Sequence, residues 1–177
     1  YGSGASEKAL SAALVKAGKS DGEVVIATKW KPFPRFASSI VRTFPAREKV
    51  LAPFHVDLYQ VHMPTSLSPV EKQMEAMADL LDAGKIKAAG VSNFSADWMR
   101  RAHETLKRRG YVLASNQVKY NPFDRRIEQN GVMETAKELG ITIIAYSPLA
   151  QGLLTGIYHR DAAAIDRLPL IRRRMVS

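Results

Sequence analysis

The stretch from Ser68 to Ser95, SPVEKQMEAMADLLDAGKIKAAGVSNFS, has the pattern of a helix, a turn and a strand in succession. Ser68 can cap a helix, Pro69 suits the first helical position, and Glu71 completes a capping box. Val70, Met74, Met77 and Leu81 share one helical face and Gly84 closes the end, so the spacing predicts a helix over 68–83. Ile86 to Val91 is then a short aliphatic run read as a buried strand, with the polar pair Ser92-Asn93 directly behind it.

The same cadence extends in both directions. Val24 to Thr28, Val56 to Val61, Leu113 to Val118 and Ile141 to Ala145 also read as buried strands. Helical spacing fills the gaps from Ser6 to Ala17, Ala96 to Arg109 and Arg126 to Leu139, each followed by a glycine. Ala37 to Leu51 is a weaker helix because Pro45 interrupts it. Strand and helix in regular alternation mean βα units and a parallel sheet.

Two architectures use such units, the doubly wound open sheet and the eight-stranded barrel. Lys29, His62, Ser92-Asn93, Gln117 and Tyr146-Ser147 put polar groups at the carboxyl end of every strand, where barrel enzymes build their sites. An open sheet would gather ligand groups at its switch point, with a glycine-rich first loop that is missing from this chain. The expected fold class is therefore α/β, a partial (β/α)8 TIM barrel with about five of eight parallel βα units, forming one domain over residues 1–177.

Composition is that of an ordinary globular domain, with 46% hydrophobic and 24% charged residues. The chain has no cysteine, which excludes disulfides, thiolate nucleophiles and Cys-bound metals and favours an intracellular protein. The net charge of +9 is spread along the chain, with Lys107-Arg108-Arg109 and Arg172-Arg173-Arg174 as the local blocks. With no nucleic-acid motif or aromatic-basic stripe, solvated faces explain that charge better than a nucleic-acid partner. No apolar run reaches the ~18 residues of a membrane span. His55, His103 and His159 lack a second ligand at metal spacing, so no metal is expected. Asp57 and Tyr59 read as structural members of their strand.

The motifs in order are Tyr1-Gly2 with Ser6-Glu7, VVIATKW (24–30), VDLYQVHMP (56–64), GKIKAAGVSNFS (84–95), ASNQVKYNP (114–122) and IIAYSPLAQGLLTG (143–156). Together they resemble the aldo-keto reductases over nearly the whole chain, and the SNQV and AYSPLAQG wording looks most like the plant and bacterial branch. The resemblance implies reduction of aldehydes or ketones with NADPH. Tyr1 would be the proton donor, Lys29 the cation that lowers its pKa, and His62 the group that orients the carbonyl. It also implies that Ser92, Asn93 and Gln117 meet the nicotinamide carboxamide and that Tyr146 stacks on the ring, with Ser147, Leu149, Gln151 and Gly152 beside the pyrophosphate. Ser92 and Ser147 have a structural alternative as caps or turn residues. Trp30 is divided between a wall of the substrate pocket and plain packing.

The family pattern has two strands and a catalytic Asp before this Tyr, and a final strand and helix whose basic residues grip the 2′-phosphate. The chain departs from it at both ends, closing on RLPLIRRRMVS. The sequence reading therefore expects a truncated relative, whether fragment, short isoform or degraded paralogue, with two bare sheet edges, weak stability, a tendency to associate and little activity. Cytoplasm or plastid is the expected compartment. The alternative function is a catalytically inactive binding or regulatory subunit; retained Lys29 and His62 favour enzyme ancestry.

Overall fold

A computed structural model of the chain describes residues 4–161. Tyr1 and the RLPLIRRRMVS segment lie outside the described residues. The helices are α1 (Ala5–Lys16), α2 (Ser38–Leu51), α3 (Val70–Asp82), α4 (Ala96–Lys107), α5 (Val132–Leu139) and α6 (Ile157–Arg160). The strands are β1 (Ala27–Trp30), β2 (Val56–Val61), β3 (Ile86–Ser92), β4 (Leu113–Lys119) and β5 (Thr142–Tyr146). They form one sheet in the order β1-β2-β3-β4-β5, and every pairing is parallel. Among the described residues β1 and β5 each pair on one side only. No described helix is long and apolar enough to cross a membrane.

Strand residues alternate between two faces. Thr28 and Trp30 on β1 and Tyr59 and Val61 on β2 face the helices, where Phe44 of α2 meets Tyr59 edge-on at 5.0 Å. Lys29, Gln60, Gly90 and Ser115 occupy paired register positions on the opposite face, which in a closed barrel is the lumen. Gly90 is required there, because a Cβ at that position would sit 2.4 Å from Ser115 Oγ and 3.1 Å from Gln60 Cγ. A bulge adjusts the phase of β4: Ala89 pairs Leu113 while Gly90 pairs Ser115, which leaves Ala114 as the extra residue. Leu113 packs into the helix-facing core, and Ser115 and Gln117 turn to the lumen.

The helices lie over the outer face. α3 buries Val70, Met74, Met77 and Leu80, with Leu81 only partly covered, one position off the expected stripe. Full burial of each such side chain contributes about 1.5–3 kcal/mol. The expected capping box does not form. Pro69 is the N-cap without a side-chain bond, and the Ser68 hydroxyl accepts the Ala37 N–H at 2.9 Å. At α4 the cap is of the ordinary kind, with Ser95 Oγ accepting the Trp98 N–H at 3.3 Å.

α2 runs through Pro45 without a break because Ile40, Phe44 and Leu51 are almost wholly buried on one face. That packing outweighs the lost backbone bond. The helix expected over 126–139 is divided into a short 3-10 turn at Arg126–Glu128 and α5, with Gly131 left-handed at φ 81° between them.

Candidate active site

Lys29 is the next-to-last residue of β1, and His62 follows β2 directly, held in place by its backbone N–H, which donates to the Trp30 carbonyl at 3.0 Å. Both side chains line one cleft of about 770 Å³ at the carboxyl ends of the strands, a size typical of small-molecule sites. Burial lowers the Lys29 pKa below its ordinary 10.5. Burial, then the charges of Lys29 and Lys31, lowers His62 below its ordinary 6.5. His62 is therefore a neutral imidazole at neutral pH, able to donate one N–H and accept at the other nitrogen.

Phe33 and Met63, 59% and 45% exposed, supply apolar lining to the same cleft. Trp30 does not. Strand alternation turns it away from Lys29 into the helical layer, where it is 0% exposed and its indole N–H donates to Ser39 Oγ at 3.1 Å. The substrate-wall reading of Trp30 is corrected to packing.

In the wall of the same cleft, Glu7 of α1 accepts from the Thr28 hydroxyl at 2.9 Å and pairs with Arg47 of α2. Arg47 also donates to the Tyr59 hydroxyl at 3.3 Å. Burial opposes ionisation of Glu7, but hydrogen bonds from its own backbone N–H and Thr28, with the Arg47 charge, leave its pKa below the ordinary 4.5.

The neighbouring strand ends carry a second polar group. The Ser92 hydroxyl and the Asn93 backbone N–H both donate to the Gln117 carbonyl, at 2.8 and 3.0 Å. Asn93 Nδ2 donates to Ser92 Oγ at 3.0 Å, and the Tyr146 hydroxyl donates to Asn93 Oδ1 at 3.0 Å. Asn93 is left-handed at φ 61°, a conformation that Asn tolerates better than most residues. After β5, Ser147, Ala150, Gln151 and Gly152 all have positive φ. Asn121 Nδ2 fastens this loop through the Ser147 carbonyl at 3.0 Å, Gln151 Nε2 reaches Ser147 Oγ at 3.2 Å, and Leu149 stays exposed.

The structure thus brings Lys29 and His62 into one cleft and links Ser92, Asn93, Gln117 and Tyr146 at the adjoining strand ends, with Ser147, Leu149, Gln151 and Gly152 in the loop beyond. No group of three or more His, Asp or Glu able to hold a metal occurs among the described residues. Sequence reasoning missed Phe33 and Met63, although both follow recognised strand ends within a few residues. It also missed the Glu7–Arg47 pair, which spans two helices and leaves no local signal.

A family model described as the aldo/keto reductase family matches residues 1–172. The chain belongs to that family. It is 41% identical over 164 residues to the aldo-keto reductase YhdN of Bacillus subtilis, covering 88% of this chain and 47% of that one. It is 33% identical over 159 residues to the chloroplastic pyridoxal reductase of Arabidopsis thaliana, covering 87% and 44%. A solved structure titled as a putative 2,5-diketo-D-gluconic acid reductase B aligns with a TM-score of 0.75 at 28% identity, over 88% of this chain and 56% of that one. The chain spans about half the length of the curated relatives it matches.

Proposed function

We propose that the chain carries active-site strands of an NADPH-dependent reductase of aldehydes and ketones. The observation that carries this reading is the convergence of a desolvated Lys29 and a neutral His62 in one cleft, beside the Asn93–Tyr146 hydrogen bond.

The donor set fits a nicotinamide. Asn93 spends one amide hydrogen on Ser92 and one lone pair on Tyr146, which leaves one donor and one acceptor for a carboxamide. Gln117 is half-buried beside it, and Tyr146 has its ring fixed by its hydroxyl. The cofactor, when bound, supplies the hydride. Lys29 presents an ammonium in a partly dehydrated cleft, where its field on a nearby phenol is stronger than in water and lowers that phenol's pKa. Tyr1 is the phenol expected from the sequence. His62, held neutral, offers one N–H to the substrate oxygen and fixes its direction.

Adding NADPH to the full chain should quench intrinsic Trp and Tyr fluorescence saturably, and 4-nitrobenzaldehyde should then consume NADPH. Absence of saturable binding would sink the reading. Normal binding with no turnover in either the chain or its His62→Ala variant would reduce it to a cofactor-binding role.

A further inference from the structure

Among the described residues, the cleft over Lys29 and His62 is lined by four basic side chains, Lys29, Lys31, Arg35 and Arg47, and one carboxylate, Glu7. Arg47 is balanced by Glu7. Among the described residues Lys31 and Arg35 make no ion pair, in contrast to the helix-surface arginines: Arg100 pairs with Glu138, Arg101 with Glu71, and Arg109 with Glu75, Asp79 and Asp82. The cleft therefore keeps a positive excess, felt in the depressed pKa of His62, to which Lys29 and Lys31 both contribute after burial.

The loop that presents these two residues is fixed rather than hanging free. The Arg35 N–H donates to the Pro32 carbonyl at 2.6 Å, and the Arg35 carbonyl accepts both the Leu67 N–H and the Ser66 hydroxyl at 3.1 Å. Ala37 N–H is held by Ser68 Oγ on the same facing loop. Arg35 thus starts from an anchored backbone at the exposed rim of the cleft, to which Phe33 and Met63 add apolar lining. A cationic rim, an apolar wall and a neutral hydrogen-bond donor in one cavity suit a ligand with an anion at one end and a carbonyl at the other.

We propose that Lys31 and Arg35 form an anion subsite, and that the carbonyl compounds preferred by this cleft carry a carboxylate or a phosphate monoester. The proposal rests on the reductase reading for its chemistry and on the cavity alone for its binding. Arg35 can grip either oxyanion with two parallel N–H bonds, while Lys31 adds a point charge.

The test separates binding from turnover. NMR titration of the full chain at low salt would compare 4-formylbenzoate with 4-formylbenzamide, and glycolaldehyde phosphate with glycolaldehyde, for the parent and the Lys31→Gln/Arg35→Gln variant. Lys8→Gln/Lys107→Gln serves as the surface-charge control, and circular dichroism checks that each variant is folded.

The expected result is an advantage on the order of ten-fold for at least one anionic partner over its neutral twin, weakened by salt, lost in the cleft variant and kept in the control. The pair showing the advantage identifies carboxylate or phosphate as the anion. Equal binding within both pairs, or an advantage that survives the cleft substitutions, overturns the subsite. Anion preference without NADPH-dependent reduction of any of the four compounds leaves the subsite standing and sinks the reductase reading. Reduction of both members of each pair with equal kcat/KM does the reverse.

Discussion

The Tyr146 hydroxyl donates to Asn93 Oδ1 at 3.0 Å across 53 residues of sequence, joining the ends of β3 and β5 above the intervening β4. The bond fixes the rotamers of an aromatic face and an amide at once. Removing it while keeping the ring, as in Tyr146→Phe, should weaken NADPH binding by about three- to ten-fold, the effect of one neutral hydrogen bond of about 1 kcal/mol. Tyr146→Ala, which also removes the ring, should weaken it further. Fluorescence titration of both variants measures the two contributions, and equal affinities for parent and Phe variant would show that the bond positions nothing.

A second prediction concerns the electrostatics of the cleft. NMR titration should place the His62 imidazole below 6.5, and Lys29→Met should move it up without restoring the ordinary value, because burial is the larger cause. The linkage sign follows from a folded pKa below the unfolded one: the unfolded chain binds more protons. His62 therefore supports stability above pH 6.5 and loses that contribution as the pH falls through its folded value. A His62 pKa at or above 6.5 would contradict the geometry.

The Glu7–Arg47 pair in the cleft wall should matter to folding. Arg47→Met takes the guanidinium away from the Glu7 carboxylate, which is only 7% exposed, and should cost about 2 kcal/mol by urea unfolding, reduced from the fully buried range because Arg47 is 22% exposed and Thr28 still donates to Glu7. Glu7 has a folded pKa below 4.5, so its contribution is present above that pH and is lost as the pH falls through the folded value. The stability gap between parent and Glu7→Gln should accordingly narrow in acid. A gap independent of pH would mean that the carboxylate charge plays no part.

Gly90→Ala should destabilise the chain by about 1–3 kcal/mol through overpacking. Its new methyl meets Ser115 Oγ at 2.4 Å and Leu58 Cδ1 at 3.2 Å, so Ser115→Ala in the same chain should recover part of the loss. Strict additivity of the two substitutions in denaturant midpoints would place the clash elsewhere.

The aliphatic runs and the polar strand ends made the parallel sheet legible, because burial on both faces leaves a signature that survives without long-range information. What failed was set by distant partners. The Ser68 hydroxyl looked like a cap but was claimed by Ala37 from another loop, and Pro45 looked like a break but sits in a helix whose buried Phe44 and Leu51 keep it whole. The β1 strand begins at Ala27 rather than Val24, since Val25 is 78% exposed and the Ile26 N–H is committed to the Asp57 carboxylate. Trp30 was different: adjacent strand residues face opposite ways, so a lumenal Lys29 already implied an outward Trp30. At Arg126–Leu139 the Asn130-Gly131 pair was the visible sign of a break.

The surplus Ala114 in β4 works as a phase shifter. With it, Asn116 points outward and ties the Phe94 backbone, while Gln117 stands opposite Ser92. Straighten that bulge, so that Ala114 takes the register opposite Gly90, and every side chain downstream in the strand would exchange inside for outside; the spacer decides which side chains the strand offers to the inner face.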